Sequence, residues 1–404
     1  MTKSIGIFVD NNFNHDIRVN RQVFQYIRLG YKVCVLCFEY TSKDSKYDDN
    51  HPFDICRIRL SKKIRNGLKI LDGRTNIYYH LTRYLVGNFL KSYKVDLLHV
   101  HDLYLSKPSA AAIKKNAKHI ALIVDLHENY PEAVKHYAAN MKTLTKWFFN
   151  SIRWKKKEKS YLTCCQAIVT LSTDFKNQLI KRNPEIKNHK FISLPNYLDI
   201  AKFETKQQAK KVVLDWKNPE NPVFVYFGVI AKRRGVNLTI EAFNHLHLEG
   251  IKPNLLLIGP IDKTETILFQ KDSIFLKNNG AIQHIPWIDI SELKSYLNLA
   301  DVALCPLEKN KQHESGIANK IFQYMYCSLP IISSSCKPQQ DLIEENQIGS
   351  IFHDLNSYKN AIKKHFDHEL NSKMGKRALQ SLKEKYDYQT TDNRLKNLID
   401  ILIT

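Results

Sequence analysis

Residues 223–258 read VFVYFGVIAKRRGVNLTIEAFNHLHLEGIKPNLLLI. Val223–Phe227 is an uninterrupted apolar run, Gly228 breaks it, Leu238–Leu248 carries apolar residues at helical spacing, and Asn254–Ile258 is a second apolar run. A strand, a crossover helix and a second strand make a right-handed βαβ unit. Strands apolar on both faces belong to parallel sheets covered by helices on both sides. The same alternation extends outward. Ile282–His284, Val302–Leu304, Pro330–Ser333 and Ser350–Phe352 follow, while Ser4–Val9, Lys32–Phe38, Leu97–Val100, Ile120–Val124, Ala167–Leu171 and Lys190–Leu194 precede. Val19–Leu29, Ser106–Lys115, Ile290–Leu299 and Asn319–Tyr326 are amphipathic stretches between them.

The strands form two series separated by the polar stretch Asp199–Pro222. This predicts an α/β chain with two Rossmann-like domains, residues 1–197 and 198–385. A last helix within 386–404 is expected to pack back on the first domain. Ligands of open α/β sheets bind at the carboxyl ends of the strands, so two such domains facing each other would form a cleft lined by the loops that follow the strands.

The chain has 404 residues, 43% of them hydrophobic, and a formal net charge of +21. That length exceeds the roughly 250–300 residues of a single core, and 13 Gly with 13 Pro exclude collagen-like and disordered classes. The opening MTKSIGIFVDNN enters a strand pattern without a signal-peptide pattern, and no run reaches the roughly 18 apolar residues of a membrane span. Eight cysteines are ordinary for a reducing compartment, so a cytoplasmic location is expected. Residues 1–200 hold 34 basic and 17 acidic side chains, most of the excess. Such a half suits nucleic acid, an anionic membrane surface or phosphorylated ligands.

The loops after the strands carry the chemistry. After the first strand come Asp16 and Arg18 at a helix start, without a G-x-G-x-x-G fingerprint. Arg18 suits either a phosphate or acceptor contact, or a capping ion pair with Asp16. His99, His101 and Asp102 end the third run, and Asp125, His127 and Glu128 the fourth. His99 and His101 share a strand face, but no further ligands follow at zinc spacing. These histidines suit hydrogen bonds to sugar hydroxyls, or they are satisfied core residues. Cys34 and Cys37 sit on opposite faces of a strand, which argues against redox chemistry.

In the second half, Gly228 is followed by Lys232, Arg233, Arg234 and Gly235 before a helix. Free amides, a helix dipole and cations together suit a diphosphate, against the alternative of a solvated basic loop. Gly259 closes the next strand. Glu314, Ser315, Gly316, Ile317 and Ala318 lead into Asn319-Lys-Ile-Phe-Gln-Tyr-Met325, offering amides at another helix start.

In their order these segments resemble glycosyltransferase family 4, retaining enzymes of the GT-B fold. Asp16-Ile-Arg-Val19 and Gly30-Tyr-Lys-Val33 are similar to that family's D-x-R-V and G-[HY]-x-V. Val100-His-Asp102, Asp125-Leu-His-Glu128, Leu171-Ser172 and Leu194-Pro-Asn196 follow, and Asn319–Met325 with Ser328-Leu-Pro-Ile331 is similar to K-x-F-E-Y-M…G-x-P-[VI]. The resemblance implies transfer of a sugar from a nucleoside-diphosphate sugar to an acceptor hydroxyl, without a cofactor or metal. It implies catalytic roles for His127, Arg234 and Glu314. Donor contacts would come from Gly228, Lys232, Arg234, Gly259, Gly316, Ile317, Ala318 and Gln323, and acceptor-side contacts from Asp16, Arg18, His101 and Glu128. Three departures stand out. The family's paired glutamates fall at Ser315 and Gln323, and the arginine expected just after Gly228 is Val229.

Arg57–Arg74 carries seven basic residues interleaved with Ile and Leu, and Lys142–Lys159 combines Trp147, Phe148, Phe149 and Trp154 with lysines. Basic side chains beside exposed aromatics suit an anionic membrane, at roughly 1 kcal/mol per cation. The expected partners are therefore a nucleotide-sugar donor, a glycan or lipid-linked acceptor and the inner membrane face, with no nucleic acid. The alternatives are a non-catalytic GT-B binding protein and, less favoured, a nucleic-acid-binding protein.

Overall fold

The computed structural model describes residues 2–41, 44, 51–116, 119–139 and 151–403. The chain divides into two compact units, Met1–Pro195 with Thr391–Thr404, and Asn196–Thr390. The divisions thus fall at 195/196 and 390/391 rather than 197/198 and 385/386.

Among its described residues the first unit has seven parallel strands: β1 Ser4–Phe8, β2 Lys32–Glu39, β3 Asp54–Arg59, β4 Leu97–His101, β5 Ala121–Asp125, β6 Ala167–Thr170 and β7 Lys190–Ser193. Their order is β3-β2-β1-β4-β5-β6-β7. β4 and β5 are buried along their whole length because helices cover both faces. One face holds Phe8, Leu36, Leu98 and Val124, the other Ile5, Ile7, Val35 and Ile123. Cys34 lies in the first of these cores and Cys37 in the second, and all eight cysteines are free. β3 is the strand that the apolar pattern missed. It pairs with β2 from Cys34↔Asp54 to Glu39↔Arg59 and stands at the sheet edge, where one side stays half exposed. An edge strand tolerates the alternating charges of Asp54-Ile-Cys-Arg-Ile-Arg59, which hide it among the basic residues.

Trp154 corrects the reading of the second basic segment. It is 2% exposed, with its ring against Tyr104, Tyr130 and Tyr161. Neighbouring Lys157 donates to the Asp72 carbonyl and Asn76 Oδ1, both at 3.2 Å. Trp147, Phe148 and Phe149 lie outside the described residues.

The last helix, Asp392–Ile403, belongs to the first unit, where Leu395, Leu398 and Ile399 enter the core beside Ile5 and Val33. Its start is held by Arg28, whose Nε and one terminal nitrogen donate to the two Asp392 oxygens at 2.7 and 2.8 Å. At its end the Lys3 ammonium donates to the Ile403 carbonyl at 2.8 Å.

The second unit has six parallel strands: β8 Val223–Phe227, β9 Asn254–Ile258, β10 Ile282–Ile285, β11 Val302–Cys305, β12 Ile331–Ser334 and β13 Gly349–Phe352. Their order is β10-β9-β8-β11-β12-β13, again with apolar layers on both faces.

Ile399 is fully buried. Ile399→Ala is expected to cost about 2–4 kcal/mol, read as a lower urea midpoint for the transition of the first unit.

Candidate functional site

In each sheet the strand order reverses direction once, between β1 and β4 and between β8 and β11. Loops on either side of such a switch point turn to opposite faces, leaving the strand ends between them open to a ligand. The residues singled out from sequence sit at or beside these ends.

In the first unit, β4 and β5 present His99, His101 and Asp125, and His127 follows two residues later. Arg18, near the start of the helix Ile17–Arg28, reaches Asp125 with two nitrogens at 2.7 and 3.0 Å and donates a third bond to the Leu194 carbonyl at 2.9 Å. Asp16 is instead the cap of that helix, its carboxylate accepting from the Val19 amide at 3.0 Å. Arg18 and Asp16 are therefore not the capping ion pair that adjacency suggested. Desolvation alone would raise the Asp125 pKa, but Arg18 and His127 offset it, and the carboxyl stays below its ordinary range.

The three imidazoles form a chain. His99 Nδ1 pairs with the Tyr26 hydroxyl at 2.6 Å, and His101 Nδ1 pairs with His127 Nε2 at 2.8 Å. One ring nitrogen of the second pair must donate and the other accept, so the two share a single proton along that contact. Burial, partly opposed by the attraction of Asp125, pushes His99 down to about 4. Burial together with His99, His127 and Arg18 holds His101 well below its ordinary value. His127 alone among them reaches the surface, with 20% of its side chain exposed. One ligand atom each of His101, Asp125 and His127 lies within 4.8 Å of the others. Both Asp125 oxygens accept from Arg18, so the cation this carboxylate holds is the guanidinium.

Asp102 follows β4 with φ 90°, a conformation that costs a non-glycine residue about 1–3 kcal/mol. It is held by its amide, which donates to the Asp125 carbonyl at 2.8 Å, and by its carboxylate, which accepts from Tyr104 at 3.1 Å. Beyond β1, Asp10 accepts from the Tyr78 hydroxyl at 3.0 Å, with Arg65 and Lys69 each at 3.5 Å. These two cations of the basic segment therefore turn inward. Glu128 is half-buried in the loop before Tyr130.

In the second unit, the Gly228 and Gly259 amides donate to Ile258 and Ile285 carbonyls, both at 2.8 Å, and so extend the ladder past the strand ends. A Cβ on Gly259, whose φ is 134°, would lie 2.2 Å from the Gly228 carbonyl oxygen; only glycine lets these turns close. Lys232–Arg234 forms a single 3₁₀ turn in which Lys232 and Arg233 are exposed and Arg234 is half-buried. Tyr324 docks the helix Asn319–Tyr326 onto the sheet: its hydroxyl accepts from the Phe227 amide at 2.8 Å and donates to the Leu304 carbonyl at 3.4 Å. That bond pair brings the helix start to the ends of β8 and β11.

Before that helix, Gly316 is fully extended, and Ile317 and Ala318 are half-buried. Ser315 is 3% exposed, and its hydroxyl donates to the Gln312 carbonyl at 2.6 Å, within its own loop. Glu314 is half-exposed, 3.8 Å from Lys309, and Gln323 is half-buried. Sequence reasoning assigned no role to Asp125, Tyr324 or Lys320. Asp125 and Tyr324 matter through bonds to residues far along the chain. Lys320 had a visible signal, a lone cation beside Ile321 and Phe322.

Residues 19–202 match the family model described as Glycosyltransferase Family 4, and residues 209–381 match Glycosyl transferases group 1. The chain belongs to the family 4 glycosyltransferases. A curated relative is the capsular polysaccharide biosynthesis glycosyltransferase CapM of Staphylococcus aureus, 22% identical over 253 residues. That match covers 61% of this chain, which spans 64% of the relative's length. A Rickettsia africae glycosyltransferase superposes with TM-score 0.70 at 14% identity, covering 100% of this chain and 99% of that one. Sucrose-phosphate synthase of Thermosynechococcus elongatus gives 0.69 at 14%, covering 99% of each. Anabaena HepE, solved with UDP, gives 0.68 at 10%, covering 99% of this chain and 100% of its own. These likenesses establish the GT-B fold, two Rossmann-like domains with parallel sheets.

Asp125→Asn leaves Arg18 without its counter-charge and is expected to destabilise the first unit by about 3–5 kcal/mol, measured by urea denaturation. His99 adds a pH dependence. The unfolded chain takes up this proton below about 6.5, the folded chain only near 4. Stability therefore falls as pH drops from 6.5 toward 4, and His99→Gln flattens that slope.

Proposed function

We propose that this chain transfers a sugar, with retained anomeric configuration, from a nucleoside-diphosphate sugar to a hydroxyl of a glycan acceptor carried on a lipid. The process served is assembly of a cell-surface polysaccharide, in keeping with the name of the Staphylococcus aureus relative. The observation that carries this reading is the second unit's switch point. There a glycine turn, a basic 3₁₀ turn and the start of the helix Asn319–Tyr326 converge on the ends of β8 and β11.

The leaving group is a diphosphate, so the rate depends on stabilising charge as the sugar–phosphate bond breaks. Arg234 and the amides of Gly316, Ile317 and Ala318 do this in the proposal, with Lys232 adding charge from its exposed position. Gly228 and Gly259 leave room for the donor. Gln323 accepts one hydrogen bond from the nucleoside ribose through its amide oxygen, without the charge assistance of a carboxylate. Glu314 contacts the sugar from the donor side, and in the first unit His127 serves as a sugar-hydroxyl contact whose ring His101 sets through their shared proton. Arg18 acts by holding Asp125. Asp16 positions the helix that carries Arg18, and Glu128 stays on the acceptor side. Cations and amides carry the charge, and the chain has no D-x-D motif of the metal-dependent type.

A non-catalytic donor-binding role is the second reading, favoured by Ser315, whose hydroxyl is occupied within its own loop where the family has a glutamate. Acceptor-dependent transfer by the wild-type chain, reduced at least a hundredfold in both Arg234→Ala and His127→Ala, supports the enzyme. Donor binding without transfer to any acceptor supports the second reading.

No helix among the described residues is long and apolar enough to cross a membrane. Contact with a membrane surface is supported by Ile64, Ile77, Tyr84 and Ile152, exposed at 55%, 44%, 65% and 66%. They lie on the helices Lys62–Thr75, Ile77–Ser92 and Ser151–Leu162, with exposed Lys62, Lys63, Lys155, Lys156 and Lys159. The chain is expected to sediment with phosphatidylglycerol liposomes and to be released by salt. Failure to bind at low salt points to a soluble acceptor.

A further inference from the structure

Lys320 is the second residue of the helix Asn319–Tyr326, and its ammonium is buried without a hydrogen-bond acceptor among the described residues. Nζ lies 3.7 Å from the centre of the Tyr226 ring and 3.1 Å from the place a Cβ would occupy on Gly228. It is thus folded into the turn that ends β8. Arg234 is near enough for its charge to act on Lys320. Ala318, which caps the helix, offers no side-chain acceptor to the first amides, so this helix start is also open. Desolvation without a counter-ion disfavours the charged form of a buried amine. Among the described residues the Lys320 ammonium meets only the face of Tyr226 and, nearby, the thiol of Cys305. The missing partner is an anion that arrives with a ligand.

We propose that Lys320 is a ligand of the donor's diphosphate, which is held between its ammonium, Arg234 and the first amides of the helix Asn319–Tyr326. The proposal rests on the donor reading above and adds a residue to it. Lys320 is the lysine of the segment similar to K-x-F-E-Y-M, and its helix delivers it into the turn that ends β8.

Among the described residues, the titratable and charged groups that act on this ammonium are Tyr226 on β8, Cys305 on β11 and Arg234 on the 3₁₀ turn. Desolvation, aided by Arg234 and opposed by Cys305, pushes Lys320 down to about 7. Burial keeps Tyr226 and Cys305 protonated, with both pKa values raised. An arriving diphosphate restores the charged form, so binding at pH 8 takes up a proton and weakens as pH rises further.

The test is titration calorimetry of the full chain with UDP, GDP and ADP, at pH 8 in buffers of different ionisation enthalpy. Wild type is compared with Lys320→Met, Lys320→Gln and Lys320→Arg. The proposal expects one nucleoside diphosphate to bind wild type with proton uptake. Met and Gln should bind it at least 30-fold more weakly without that uptake, and Arg should retain most of the affinity. It also expects the ligand-free Met variant to melt at a higher temperature than wild type, because the cost of burying an amine that the unfolded chain keeps protonated has gone. Binding within threefold of wild type in both the Met and Gln variants overturns the role of Lys320 and leaves the donor reading standing. No binding of any nucleoside diphosphate by folded wild type overturns both.

Discussion

A parallel sheet built from right-handed crossovers must leave its strand ends uncovered where the strand order reverses. Everything proposed for the second unit depends on that constraint between β8 and β11. It sets the Gly228 turn opposite the segment that follows β11. The Tyr324 hydroxyl then links the helix Asn319–Tyr326 to both strands, through the Phe227 amide and the Leu304 carbonyl. A helix start, a glycine turn and two buried or half-buried cations converge there without any chemical step being required of the backbone.

Two buried charges show opposite solutions to desolvation. Asp125 meets Arg18 in a two-point ion pair, completed by the Leu194 carbonyl. The pair ties β5 to the first helix and to the segment after β7. Its charge is satisfied inside the protein, which makes it a structural element that orders the loop carrying His127. The Lys320 ammonium has no such internal partner among the described residues. A satisfied pair positions other residues, whereas an unsatisfied charge marks where a ligand of opposite sign belongs.

The doubly wound architecture was legible because twelve strands announce themselves as apolar runs between glycines and helical periods. β3 was not, since its alternating Asp and Arg residues suit a sheet edge and look like a basic surface segment. Trp154 misled for a related reason: lysines surround it in sequence, while its ring packs inward on three tyrosines. The glycine turns and the Asn319 helix could be placed from motif order alone. What Arg18, Tyr324 and Lys320 touch could not, because each contact joins residues distant in the chain or depends on which way one side chain turns.

The central claim is that the diphosphate of a nucleotide-sugar donor belongs to the switch point of the second unit. Its most direct test is a crystal structure of the chain with the nucleoside diphosphate that binds it. The account predicts phosphate oxygens within hydrogen-bond distance of Lys320 Nζ and the Arg234 guanidinium, at the first amides of the helix Asn319–Tyr326. Phosphates bound elsewhere on the chain, with Lys320 still facing only the Tyr226 ring, contradict it.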